Sequence, residues 1–293
     1  MKTSLRTAAL LACGCVLLCL AGCSRVAHYL YLRGYDHEIS SATREIAASR
    51  DNPQRAAAYA KRGHAYSEKA RYSRAFHLIA ADEYERWFSL AIQDHDQAIA
   101  LDPGSAEAYY SRGQTYYDRA FLETVVDGKS VGSAATRKAW FEPAASDFKK
   151  AVEIDSALFM GWDMLGLSHE GAGELDEAIN DYTREMALNP LGRARLADAY
   201  CARGGSGPKE QDAKEQGKEK NYQAAIADYE KSIEMGATAD GCSCDPYNPL
   251  LWIYTEEQRY DQGWEVVHKA QKSRKWIEPE FLEKLKKESG RSS

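Results

Sequence analysis

Residues 159–190 read FMGWDMLGLSHEGAGELDEAINDYTREMALNP. Trp162, Gly166 and His169 fall three or four residues apart, so they share one face of a helix. A glycine on that face lets the following helix approach closely, and the flanking rings fill the space beside it. Ala187-Leu-Asn-Pro190 then reads as a helix end followed by a stop. The same pattern recurs upstream. Tyr59, Gly63 and Tyr66 repeat the spacing, as do Tyr109, Gly113 and Tyr116, while Pro53, Pro103 and Ser156 each precede their glycine by ten residues. Ala98-Ile-Ala-Leu-Asp-Pro103 and Ala151-Val-Glu-Ile-Asp-Ser156 supply two further helix ends with stops.

With Trp162, Leu165, Gly166, Gly173, Leu175, Ala178, Tyr182, Leu188 and Pro190 in place, residues 159–190 resemble the tetratricopeptide repeat (TPR). Glu185 departs from the pattern, standing where the family prefers alanine. Asn221-Tyr-Gln-Ala-Ala225-Ile-Ala-Asp-Tyr229 is a second half-unit, and Arg259 to Ala270 a more degenerate one. The resemblance implies an all-α solenoid of helical hairpins, about five units over residues 54–275. Residues 36–53 are expected as a short amphipathic helix built on Ile39, Ala42 and Ile46. Residues 276–293 are expected as a capping helix and tail, with Phe281, Leu282 and Leu285 closing the stack.

The phase is not regular. Pro53 to Pro103 spans 50 residues and Pro103 to Ser156 spans 53, against a family period of about 34. Extra residues are therefore expected near 71–90, 118–140 and 205–220. In the first, Ser73 to Leu101 reads as one long second helix. In the second, Val126 to Ser133 reads as a loop. The third, GSGPKEQDAKEQGKEK, holds four bases, four acids and no aromatic residue, and reads as a solvated insert.

Composition agrees with a helical body. The 293 residues are 44% hydrophobic and 28% charged, which supports a buried core and excludes a disordered chain. Few β-branched runs occur, which disfavours a sandwich or barrel. A net charge of −6 with no basic stripe excludes a general nucleic-acid binder.

The N-terminus reads separately. Lys2 and Arg6 precede an almost wholly apolar stretch from Thr7 to Leu20, too short for a comfortable membrane span and shaped like a secretory signal. Leu20-Ala-Gly-Cys23 resembles the lipobox of bacterial lipoproteins. That resemblance implies a signal peptide over 1–22, lipid attachment at Cys23 and a tether over 23–35. It also implies a place in the bacterial cell envelope, at the outer membrane facing the periplasm in a Gram-negative host. In an exported protein a disulfide from Cys201 to either Cys242 or Cys244 is expected, leaving one thiol.

No catalytic constellation emerges. Gly128-Lys-Ser130-Val-Gly132 spells G-x-S-x-G but stands between helices, where a nucleophile elbow needs a strand before it. Gly128-Lys-Ser130 also lacks the first glycine of a phosphate loop, because Glu123 stands there. Asp94-His-Asp96 reads as a solvated helix face, since adjacent helical residues diverge too far to share a metal. Cys242-Ser-Cys244 is too tight for zinc. No metal, no cofactor and no enzymatic activity are expected.

Carrying over the family's groove positions gives a concave face with His64, Glu68, Glu107, Tyr110, Gln114, Tyr117, Asp118, Asp163, Leu167 and Glu170. Weaker units add Asp198, Trp252 and Glu256. The face is acidic and aromatic, without the Lys and Asn with which carboxylate-clamp members of the family hold a peptide's terminus. The expectation is therefore a lipid-anchored scaffold for other envelope proteins or their peptide segments, basic ones among them, attached to the membrane by its lipid. The alternative is a small-molecule-binding accessory lipoprotein of a transport system, with Tyr110, Tyr117 and Trp252 around the ligand. An enzyme hidden in the insertions is the remaining rival.

Overall fold

A computed structural model describes residues 28–76, 81–126, 129–130, 133–205, 222–236 and 244–291. It is helical almost throughout: α1 over residues 28–48, α2 Asn52–Ala75, α3 Ala81–Leu101, α4 Ala106–Thr124, α5 Ala134–Ile154, α6 Phe159–Ala172, α7 Leu175–Leu188, α8 Arg193–Gly205, α9 Gln223–Met235, α10 Tyr247–Glu256, α11 Tyr260–Lys272 and α12 Pro279–Ser289. The extended residues among those described are Val125–Val126 and Lys129–Ser130. No described helix is long and apolar enough to cross a membrane. The arrangement is a helical-hairpin repeat similar to that of TPR proteins. It divides into two compact units, Met1–Gly128 and Lys129–Ser293.

In the first unit α2 and α3 form a hairpin, and α4 packs against both. Asp51 starts α2 by accepting the Gln54 backbone N–H at 2.9 Å, with Pro53 in the first turn where a missing N–H costs nothing. A small core forms from Ala70, Tyr84 and Phe88, with Trp87 and Leu122 against it. The boundary between α2 and α3 differs from expectation. Ser73 does not begin the second helix; α2 runs on to Ala75 and α3 starts at Ala81. The first helix thus absorbs part of the extra length near 71–90.

α1 also begins earlier than the sequence suggested. Residues 28–35, expected as tether, are helical. Their rings find partners on α2: the His28 imidazole lies 2.6 Å from the Tyr72 hydroxyl, and Tyr31 stacks on the Tyr72 ring at 5.2 Å. Ala42 is fully buried, with Ile39 and Ile46 half-buried beside it. Lys69–Asp36 and Lys61–Glu45, both 2.6 Å, close the edges.

In the second unit α6 and α7 form the hairpin written by residues 159–190. The chain between them turns through Gly173, whose φ of 85° suits a residue without Cβ. A Cβ built on Gly166 would come within 2.5 Å of the Tyr182 ring, so the glycine is what lets these helices touch. α8 and α9 pack as the next hairpin, followed by α10 and α11. α12 contributes the fully buried Leu285 to the terminal core, with Phe281 and Leu282 packed on it. Cys201, fully buried, is bonded to Cys244 with Cα atoms 6.1 Å apart. Cys242 lies outside the described residues, as do Cys23 and the insert over 206–220.

A second repeat runs through the second helices. Ala91-Ile-Gln-Asp94-His95, Ala144-Ala-Ser-Asp147-Phe148, Ala178-Ile-Asn-Asp181-Tyr182 and Ala225-Ile-Ala-Asp228-Tyr229 each place a buried aspartate before a buried ring. Three of these aspartates meet a basic side chain, Arg or His, from the first helix of their own hairpin. Arg62 grips Asp94 through two hydrogen bonds of 2.7 Å. Arg203 holds Asp228 at 2.9 and 2.7 Å. His169 lies 2.6 Å from Asp181. Asp94 and His95 are accordingly not a solvated face, as the sequence suggested. His95 fills the ring position opposite Gly63, and neither ring nitrogen finds a hydrogen-bond partner among the described residues. Burial holds that imidazole neutral, far below its usual range at about 3.

Candidate functional site

The expected groove residues lie on the first helix of each hairpin, and the structure can be read unit by unit. On α4, Tyr110, Gln114, Tyr117 and Asp118 recur at helical steps on one side and are half-buried. Glu107 lies at the exposed start of that helix. On α2, His64 is exposed and Glu68 half-buried. Arg71 donates to Glu68 at 2.6 and 3.2 Å and stands 4.0 Å from Asp118. The arginine therefore bridges the two carboxylates. Burial nonetheless raises Asp118 to about 6: Arg71 pulls its value down, and neighbouring Glu68 pushes it back up. Tyr117 stacks on Phe121 at 6.2 Å, leaving an aromatic wall beside these acids.

In the second unit the predicted residues divide by environment. Asp163 on α6 pairs with Arg195 on α8 at 3.2 Å, and burial raises its carboxyl above the ordinary value. Glu170 accepts the Tyr182 hydroxyl at 2.8 Å, so it orders the hairpin's central ring. Leu167 packs against the core formed by Ala178, Ile179, Tyr182, Leu196 and Ala199. Asp198 accepts the backbone N–H of Cys244 at 3.3 Å, beside the disulfide. Glu256 receives Lys284 from the capping helix. Trp252 meets Tyr222 edge-on at 5.7 Å and lines an open cleft of about 410 Å³ with Asn248, Pro249, Glu278 and Phe281.

The face was expected to carry no Lys or Arg. Arg71 continues the same face of α2 three residues beyond Glu68, while Arg195 on α8 and Lys284 on α12 reach Asp163 and Glu256 from other helices. Much of the negative charge is therefore compensated within the fold. Of these acids, Asp118 and Asp163 are raised by burial above their ordinary values despite Arg71 and Arg195.

Glu185 escaped notice as a site residue. It occupies the slot where a small residue is usual, is almost wholly buried on α7, and its Oε2 finds no donor among the described residues. A Cβ on Gly192, in the short helical turn Pro190–Gly192, would collide with its carboxylate. Burial, then the nearby Asp163, raises it to about 7, while Arg195 acts the other way. The signal was present in the sequence as an acid at a small-residue position. Among the described residues no group of three His, Cys, Asp or Glu is placed to hold a metal.

Comparison with known proteins fixes no family. No sequence profile of a protein family matches the chain. It is 27% identical over 157 residues to the DnaJ homolog subfamily C member 7 homolog of Dictyostelium discoideum, covering 52% of this chain and 25% of that protein. It is 27% identical over 118 residues to the heat shock protein STI1 of Saccharomyces cerevisiae, covering 40% of this chain and 18% of that one. The chain thus spans a quarter or less of the length of these curated relatives. Among solved structures, MamA aligns over 66% of this chain and 91% of its own, with 21% identity and a TM-score of 0.39.

Proposed function

We propose that this chain is a non-catalytic scaffold, held at the bacterial envelope by lipid on Cys23, whose first-helix faces bind basic segments of other envelope proteins. The hairpin-repeat fold supports an interaction role. The observation that carries the choice of ligand is the half-buried Asp118, which shares Arg71, 4.0 Å away, with Glu68. Burial raises its carboxyl to about 6, Arg71 lowering it and Glu68 raising it. A lysine or arginine arriving against Asp118 would supply the missing charge, and Tyr117 beside it offers a ring face for cation–π contact. Binding would then expel a proton, and affinity would rise as pH climbs from about 5 to 7.

The test is calorimetry of the full chain with Lys/Arg-rich peptides and with acidic peptides of equal length, in buffers of different ionisation heat. Preferential binding of the basic peptides, proton release, and weakening on Asp118→Asn are the expected results. Equal binding of both peptide classes would overturn this choice of ligand. Failure of Cys23→Ala to abolish fatty-acid labelling would overturn the anchor.

A further inference from the structure

The first turn of α1 and the last turn of α2 meet at one end of the first unit, and that end is aromatic. Tyr29, Leu30, Tyr31 and Phe76 are 59%, 59%, 60% and 52% exposed, four of the ten large apolar side chains exposed among the described residues. They are not loosely arranged. His28 packs on Phe76 at 4.7 Å and Tyr31 stacks on Tyr72, so the tip is a built surface that nothing described covers. Exposed apolar surface gathered at one place calls for an occupant.

Three observations select the same one. The first is reach. Five residue steps separate Cys23 from His28, and a fully extended chain covers at most about 17 Å over that distance. A lipid at Cys23 therefore keeps this tip within that distance of the bilayer surface, whatever path the intervening residues take. The second is composition. Tyrosine combines an apolar ring with a hydroxyl that needs water, and such residues concentrate at the headgroup level. The third is charge. Residues 24–35 contain Arg25 and Arg33 and no acid, and Arg33 lies over the Tyr29 ring at 5.8 Å. Arg33 beside an interfacial aromatic patch suits anionic phospholipid.

We infer that this aromatic tip seats in the headgroup layer of the membrane to which Cys23 is attached, adding a second contact that fixes how the first unit stands on the bilayer. The inference rests on the proposed anchor. An acyl chain alone leaves a protein free to swivel; a ring cluster close to it does not.

The experiment uses the full chain in a bacterium that acylates lipoproteins, with phospholipids labelled by radioactive phosphate. Leu30→p-benzoylphenylalanine places a photocrosslinker in the tip. Gly104→p-benzoylphenylalanine places one in the exposed α3–α4 turn as control. Fatty-acid labelling of each variant reports the anchor independently. Acylated protein with a phosphate-labelled crosslink at 30 and none at 104 is the expected result. Acylated protein whose crosslinks at 30 go to its own residues 1–22, to another protein, or to no lipid overturns the tip contact and leaves the anchor standing. Protein without fatty acid overturns both.

Discussion

Arg62 and Asp94 join the two helices of the first hairpin through paired hydrogen bonds of 2.7 Å, with only 7% of the aspartate side chain exposed. The pair is sheltered enough to matter, because a buried guanidinium deprived of its carboxylate keeps its desolvation cost. Asp94→Ala should lower stability by about 2–3 kcal/mol. Asp96→Ala, two residues on and half exposed beside Arg112, should lower it by under about 1 kcal/mol. Urea melts of the two variants check the order; equal effects would refute it.

Glycine approach gives a second graded series. Gly166→Ala forces a Cβ to within 2.5 Å of Tyr182, whereas Gly204→Ala meets Tyr229 at 3.1 Å. Overpacking at Gly166 should cost about 1–3 kcal/mol, and the change at Gly204 clearly less. Because neighbouring hairpins stabilise one another, the loss at Gly166 should broaden or split the melting transition.

The Glu185 carboxyl, facing Asp163, Arg195 and Asn189, is raised to about 7 from an ordinary 4.5. A carboxyl raised by folding binds its proton more tightly in the native state. Its contribution is therefore fully present below about pH 4.5 and is lost as pH rises through 7. Glu185→Gln should flatten that part of the stability profile and melt higher than the parent at pH 8. A parent profile flat between pH 5 and 8, or a variant less stable at pH 8, would contradict this.

The bond between Cys201 and Cys244 closes a loop across 43 residues. Replacing both cysteines by serine should remove about 2–4 kcal/mol. Peptide mapping without reduction should recover the two residues in one linked fragment. Recovery of Cys201 linked to Cys242 would overturn the pairing.

The hairpins were legible in the sequence because aromatic–glycine–aromatic spacing writes a helical face directly, and proline or an Asp-Ser step writes its end. Other features depended on contacts made across long separations. The helicity of residues 28–35 comes from His28, Tyr31 and Tyr35 meeting Tyr72, forty residues away and invisible to local pattern. The end of the first helix at Ala75 was hidden because Ala and ring residues continue at helical steps beyond it. Asp94 looked solvated because a charged residue usually is; its burial follows from an arginine at the matching step of the preceding helix. The groove residues were chosen by phase alone, so the bases that reach them, Arg71 from the same face of α2 and Arg195 and Lys284 from other helices, went unseen.

The clamps Arg62–Asp94, His169–Asp181 and Arg203–Asp228 each bind helices of the same hairpin, and their aspartates are buried. Links from one hairpin to the next, such as Arg195–Asp163 and Arg203–Asp176, involve more exposed groups. The ion pairs inside these hairpins are thus sheltered from solvent, while those between hairpins lie more open to it. Rising salt, which screens exposed charges most, would therefore weaken the ion pairs between hairpins before the clamps inside them.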